Sequence, residues 1–483
     1  MKHNALIRML SLLLCLFTLL GTVACGNAGD ETDTTAGENA GETEGETEYK
    51  PDISVKNYDA EFNIVIGGTF SKDSIAIEEL EDSKAGDLET AVYERGIKIK
   101  DHLGVDLVHQ DAGDWLAYAA NVSKTVQAGD DSYQLVLTHV YQGLTDLVTS
   151  NALYDMGDLD AINLEAPYWA SDLMNEVKVE DKYLLGYGDF CLSSVNLVVF
   201  NKDLMKEYNM TEPYGDVRNK TWTLDKLMSM ASVVSADDGD GKWTNKDTYG
   251  ISGWGWVPLI SLVASSDMKI VDRNDVGDFA VAYENNSEKI INLIDKVMAM
   301  YNAEYSFFWK STENGNEEAM LRFADGNSLF QLYSSPSLTA FREEDIRFGV
   351  LPYPLWDEKQ AEYKSLNWNG MMGVPGAIKN PDMVGEVLEL MNYYTADVKV
   401  AYYEKLLGTK LAEAPDDAEM LDIIWASQVS DVGIIACNSS GSMDALVYMV
   451  PKMCESGKNN FSSYMKSNGK GAQRGLDRVF KQG

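Results

Sequence analysis

Ser194-Val195-Asn196-Leu197-Val198-Val199-Phe200, continuing as Asn201-Lys202-Asp203-Leu204-Met205-Lys206-Glu207-Tyr208, lies near the middle of the 483-residue chain. Val195, Leu197, Val198, Val199 and Phe200 make a β-branched and aromatic run too short for a helix, which predicts a buried strand. Asn201 ends the run, and the Asn-Lys-Asp step predicts a helix N-terminus, because an Asn side chain accepts from the free N–H groups of a first turn. Leu204, Met205 and Tyr208 then share one face. Strand and helix patterns lie on both sides of this joint, so it predicts a crossing between two lobes of an α/β protein.

Toward the N-terminus, residues 61–68 alternate as a strand ending in two glycines, and Phe70 follows on a loop at the strand's carboxyl end, where open α/β sheets bind ligands. A helix over 88–103, stopped by Gly104, and a strand over 105–109 complete a βαβ unit. A second helix over 115–128 leads to a strand over 133–138, whose carboxyl end delivers His139 and Tyr141 to the same topological position. Asp189, in the run leading to the joint, either accepts hydrogen bonds from ligand hydroxyls or closes a turn.

Toward the C-terminus, Thr223 caps a helix reaching Val234, and a polar loop follows with Asp238, Asp240, Gly241 and Asp247. The loop is a degraded EF-hand: Ala236 falls on the first ligand position and Asp247 stands where Glu is needed, so an Asp/Gly turn is favoured over calcium. A strand over 249–252 ends in Gly253-Trp254-Gly255-Trp256. Two indoles separated only by glycine cannot both pack well in one core, so at least one is expected at a cleft. Tyr333 follows a strand over 328–332, and Trp368 and Asn369 sit in Asn367-Trp368-Asn369-Gly370 before a second apolar crossing over 371–378. For each of these aromatics, packing in a core is the rival reading. A helix over 381–395 and a short C-terminal helix over 475–480 complete the pattern.

The formal net charge is −36 in a chain that is 45% hydrophobic, which describes an acidic, solvated surface. It argues against binding nucleic acid or anionic membranes, which needs clusters of Lys and Arg. Four His and no CxxC pair give no metal-ligand spacing, and no cofactor motif is present. Cys437 and Cys454 either pair or stay as buried thiols. The chain has no GxSxG, HExxH or GxxxxGK motif, so binding is favoured over catalysis.

At the N-terminus, Lys2 and Arg8 precede an apolar run over 9–20 and then Ala24-Cys25-Gly26, the three parts of a secretory signal peptide over 1–24. Residues 26–50 are nearly all small, polar or acidic and cannot bury a core, which predicts a disordered, extended tether.

Taken together, the joint at 194–208, Gly188-Asp189, and the order Phe323, Gly349-Val350-Leu351-Pro352, Gly376-Ala377-Ile378 resemble the extracellular solute-binding proteins of bacterial ABC importers, the maltose-binding-protein-like group. Ala24-Cys25-Gly26 resembles a lipobox, with Thr22 departing from its usual Leu. The resemblance implies an α/β, two-lobed type II periplasmic-binding-protein-like fold with a hinge and an interlobe cleft. Lobe 1 would hold residues 59–194 and 372–428, and lobe 2 residues 195–371 and 429–483, after an acidic tether over 25–58. It further implies a monomeric, non-enzymatic protein without metal or cofactor. This protein would be lipidated at Cys25, held on the outer face of the cell membrane, and partnered with permease subunits. Phe70, His139, Tyr141, Asp189, Trp254, Trp256, Tyr333, Trp368 and Asn369 would hold a carbohydrate, an oligosaccharide, since aromatic rings suit ligands with apolar faces and polar edges. An extracellular glycoside hydrolase and a lipoprotein that binds other proteins are the alternatives.

Overall fold

Asn196–Asn201 is a strand with all six residues buried, and the Asn201 side chain accepts from the N–H groups of Asp203 (2.9 Å) and Leu204 (3.0 Å) to open helix Lys202–Glu207. The computed structural model describes residues 49–67, 75–80, 86–111, 118–141, 143–192, 194–244, 246–308, 321–335, 337–341, 346–368, 370–437 and 442–481. The leader, the tether up to Glu48, Cys25, Phe70 and Asn369 lie outside the described residues.

In chain order the strands are Ala60–Gly67 (β1), Val105–Asp111 (β2), Leu135–His139 (β3), Leu153–Tyr154 (β4), Asn196–Asn201 (β5), Tyr249–Gly253 (β6), Val271–Arg273 (β7), Phe279–Val281 (β8), Ser306–Phe308 (β9), Ser328–Ser334 (β10), Phe348–Leu351 (β11), Ser365–Leu366 (β12), Gly370–Pro375 (β13) and Gln428–Val429 (β14). One sheet has the order β2-β1-β3-β13-β4, with β1 parallel to β2 and β3, and β13 antiparallel to β3 and β4. The other has the order β11-β5-β10-β6-β9, with β6 parallel to β9 and β10, and β5 antiparallel to β10 and β11. The parallel pairs require crossover helices, and helix Asp87–Leu103 is one of them, burying Leu88, Val92, Ile99 and Leu103. Gly104 ends it at φ 64°, where a Cβ would come within 1.9 Å of the Asn57 side chain. The chain forms a mixed α/β fold with two sheets, each the core of a lobe.

The chain passes from the first sheet to the second between β4 and β5 and returns at β13. Val195 bridges to Asn367, the Asn367 N–H donates to the Val429 carbonyl (2.9 Å), and Leu366 pairs with Val429 in the parallel β12–β14 pair. Three chain segments therefore lie side by side in the connection between the sheets. The first described residues are fixed to helix Pro381–Tyr393. Tyr49 Oη donates to Glu389 (3.3 Å), Tyr58 Oη donates to Glu386 (2.9 Å), and Lys56 also pairs with Glu386. Helix Pro415–Ala426, in the stretch expected to belong to the first lobe, lies against β11: Asp417 accepts from Tyr214 Oη (2.6 Å), the Val350 N–H (2.9 Å) and Lys202 Nζ (3.0 Å).

The short helix expected over 475–480 is the end of a 20-residue helix, Phe461–Phe480. Gly469, Gly471, Gly475 and Asn468 lower its intrinsic propensity, but Phe461, Met465, Ala472, Leu476, Val479 and Phe480 are buried, and burial of that face overrides propensity. Cys437 and Cys454 are buried thiols, the second of the two cysteine readings, and Cys191 is buried as well. In the acidic loop, Asp237 accepts from the N–H groups of Gly239 and Gly241, Asp238 from Asp240, Asp240 from Lys242, and Asp247 from Asp238 and Thr244. The carboxylates cap their own turns. Among the described residues, no helix is long and apolar enough to cross a membrane.

Candidate functional site

Strand register decides which side chains come together. In the first sheet Gly67 aligns with Thr138 in the parallel β1–β3 pair, so the residues following β3 emerge at the carboxyl edge. In the second sheet Leu332 aligns with Gly253 in the parallel β6–β10 pair, so Tyr333 and Trp254 are the next residues at that edge. Their rings meet edge to face with centroids 4.8 Å apart.

Gly255 adopts φ 57°, a left-handed conformation that glycine enters without a Cβ clash. It separates Trp254 from Trp256, which begins helix Val257–Ser265. Trp256 lies 5.4 Å from Tyr141, 5.3 Å from Trp368 and 4.7 Å from Tyr448. Trp368 in turn lies 4.9 Å from His139, nearly perpendicular at 79°, and 6.0 Å from Tyr141. The hydroxyls of Tyr141 and Tyr448 share a short hydrogen bond. All five residues are half-buried. The first sheet supplies His139 and Tyr141, the second Trp256, the return segment Trp368, and the C-terminal region Tyr448.

His139 Nδ1 accepts from the Tyr141 N–H (3.2 Å), which places the ring proton on Nε2. Desolvation pushes its pKa down to about 4, opposed by a hydrogen bond to the Trp368 backbone, so the ring is neutral near pH 7. Burial raises the Tyr448 phenol above its ordinary range and keeps it protonated. The cluster thus presents ring faces, phenol hydroxyls and a neutral imidazole, with Lys452 flanking it 5.9 Å from the Tyr448 ring. Such a lining can stack against apolar faces and exchange hydrogen bonds with hydroxyls at the edges.

Of the residues singled out from the sequence, His139, Tyr141, Trp256 and Trp368 are brought together, and Trp254 meets Tyr333. Asp189 is half-buried in a 3-10 turn, 3.6 Å from Lys399, with its N–H donating to the Tyr168 carbonyl (2.9 Å). Its contacts tie it to helix Ala396–Leu407 and the turn before it. Sequence reasoning missed Tyr448, because Leu446-Val447-Tyr448-Met449-Val450 reads as a core segment. One phenol amid aliphatics was the available signal. Near β7, the Asp431 carboxylate accepts from the N–H groups of Ile270 (2.7 Å), Val271 (3.3 Å) and Gly433 (2.8 Å) and caps helix Val432–Ile435. Burial pushes its pKa up to about 6.

The fold matches several solved structures. The GacH receptor of Streptomyces glaucescens, solved unliganded and with acarbose, is 13% identical with a TM-score of 0.52, over 88% of this chain and 99% of that one. The maltose/maltodextrin-binding domain MalE of Bdellovibrio bacteriovorus, bound to maltotriose, is 11% identical with a TM-score of 0.52, over 87% and 100%. The substrate-binding protein Lmo0181 of Listeria monocytogenes, in complex with cycloalternan, is 12% identical with a TM-score of 0.53, over 87% and 98%. At these identities the likeness is one of fold, a type II periplasmic-binding-protein-like architecture. No curated protein matches the chain. The profile of one family, described as bacterial extracellular solute-binding protein, matches residues 98–418, from the first crossover helix to beyond the return crossing. A match across roughly two thirds of the sequence, through both sheets and the segments that join them, means that this chain belongs to the bacterial extracellular solute-binding proteins.

Proposed function

We propose that the chain is the lipid-anchored substrate-binding component of an ABC importer and captures a carbohydrate, an oligosaccharide, by closing two lobes around it. The observation that carries this reading is the ring cluster, because rings from both sheets and from the return segment converge on one place. Trp254 and Tyr333 extend the aromatic lining from the second sheet, and Phe70, Asn369 and Asp189 complete the proposed site. The sugars and sugar analogues held by the similar proteins, acarbose, maltotriose and cycloalternan, support a carbohydrate.

The lobes are residues 59–194 with 372–428, and residues 195–371 with 429–483, with helix Pro415–Ala426 of the former range packed against β11 of the latter. The hinge is the triplet of segments around Val195, Asn367 and Val429, where few backbone hydrogen bonds have to bend. Cys25 carries the lipid, the acidic tether holds the lobes off the outer membrane face, and permease subunits receive the ligand from a monomer.

The test is a thermal-shift screen of linear oligosaccharides, monosaccharides and peptides, since a ligand bound only by the native state raises the melting temperature. An oligosaccharide should raise it with no product formed. Release of reducing ends would favour the hydrolase, and a response to peptides alone would overturn the carbohydrate assignment.

A further inference from the structure

We infer that the exposed face of helix Phe461–Phe480 docks on a membrane surface rich in anionic phospholipid. The whole chain carries −36, yet Lys466, Lys470, Arg474 and Arg478 follow one another at intervals of four along this helix, and all are exposed. Residues four apart on a helix are neighbours roughly 6 Å apart, so the row extends about 18 Å along the axis. Like charges at that spacing repel and weaken the helix. The helix dipole offsets this at the C-terminal end, for Arg478, and works against a cation near the start, at Lys466.

Among the described residues, none of the four has a carboxylate within ion-pair distance, whereas Lys98, Lys202 and Arg218 all do. The nearby acids are otherwise engaged: Asp477 accepts from Gln473 (3.1 Å) and pairs with Lys481 (3.4 Å), which also meets Asp278 (2.8 Å). The row therefore stands as a basic strip on an acidic protein. Read along the sequence it is diluted by the surrounding Ser, Gly and Asn, which is why the sequence shows no basic cluster.

The occupant follows from shape and charge. The apolar face of the helix is buried, so the helix cannot insert into a bilayer and must bind by charge alone. Positions four apart turn by about 40° around a helix, so the four cations fan over about 120° of its exposed side, and this unpaired positive charge complements an extended plane of phosphates. Such a plane is within reach if Cys25 anchors the chain, and in that respect the inference rests on the proposed function. The carboxylates elsewhere do not forbid it, because exposed charges are screened beyond about 8 Å at physiological ionic strength.

The test uses the mature chain with Cys25→Ser, which carries no acyl group, floated with vesicles of phosphatidylcholine or of three parts phosphatidylcholine to one part phosphatidylglycerol. Each Lys or Arg near an anionic surface strengthens binding roughly fivefold. The protein should float with the anionic vesicles alone and be released by added salt. Replacing all four cations by Gln should weaken flotation roughly several hundredfold, with no loss of melting temperature, and exchanging Arg474 and Arg478 for Lys should preserve it. Equal flotation with both vesicles, or with the Gln variant, overturns the proposal. No flotation at all, with the row instead binding an acidic protein, also overturns it. Since no lipid is attached, the outcome is independent of anchoring in cells, which is decided separately by the mass of the native N-terminus.

Discussion

Trp368→Ala separates a binding platform from a core residue. Trp368 is half-buried and makes two near-perpendicular ring contacts, with His139 (4.9 Å, 79°) and Trp256 (5.3 Å, 81°), besides the tilted one with Tyr141. At about 0.5–1.5 kcal/mol for each well-oriented pair, the two give about 1–3 kcal/mol. The space vacated opens to solvent, so no sealed cavity adds to the cost. Trp222 is the reference: it is fully buried, its Nε1 donates to the Pro352 carbonyl (2.9 Å), and its loss to Ala should cost about 3–5 kcal/mol. Urea denaturation of both variants, with calorimetric titration of the sugar found by screening, makes the comparison. Trp368→Ala should lose the smaller amount of stability and at least about tenfold in affinity, equivalent to about 1.4 kcal/mol. If it unfolds as readily as Trp222→Ala while the folded fraction binds normally, Trp368 is a core residue and the reasoning fails.

Two desolvated titrating groups should tilt stability against pH in opposite directions. Burial lowers the His139 pKa to about 4, so the unfolded chain binds more protons below its ordinary value of 6.5, and His139 makes stability fall as pH drops through that window. Burial raises the Asp431 carboxyl from 3.8 to about 6, so its contribution is greatest at acid pH and is lost as pH rises through about 6. His139→Gln should therefore lessen destabilisation on acidification and Asp431→Asn should worsen it; melting curves with parallel slopes from pH 4 to pH 7, about the range these pKa values span, would contradict both assignments. The native protein should start at an acylated Cys25 and partition into detergent, and an unmodified N-terminus by intact mass would remove the anchor. Closure should shrink the scattering radius at saturating ligand. Reversing an open-to-closed ratio from 99:1 to 1:99 needs about 5.5 kcal/mol of differential affinity, and micromolar binding supplies about 8 kcal/mol; an unchanged radius would argue against a hinge.

The elements that local patterns specify were legible. The run at 195–200 became β5, displaced by one residue, and the Asn201 and Thr223 side chains cap the helices expected to begin at them. Helix Asp87–Leu103 was readable at both ends, because Gly104 stops it as expected. Helix Phe461–Phe480 was not, since its glycines and Asn mask a face whose burial depends on partners remote in sequence. Of the ring cluster, all but Tyr448 had been singled out from the sequence. His139, Trp256 and Trp368 follow strands or precede a crossing, so topology points to them. Tyr448 joins through the packing of the C-terminal region, and no local signal reports which way a ring in an apolar segment turns.

The Tyr141 and Tyr448 hydroxyls bond to one another, and Trp256 touches both of their rings. A sugar gripped by this cluster has to enter between rings that now meet. The most direct measurement is therefore a crystal structure with the bound oligosaccharide. It should place a pyranose face against Trp368 or Trp256, between the two sheets, with the Tyr141–Tyr448 bond broken. A ligand held elsewhere, with the five rings in their present contacts, would contradict the reading of this cluster as the binding site.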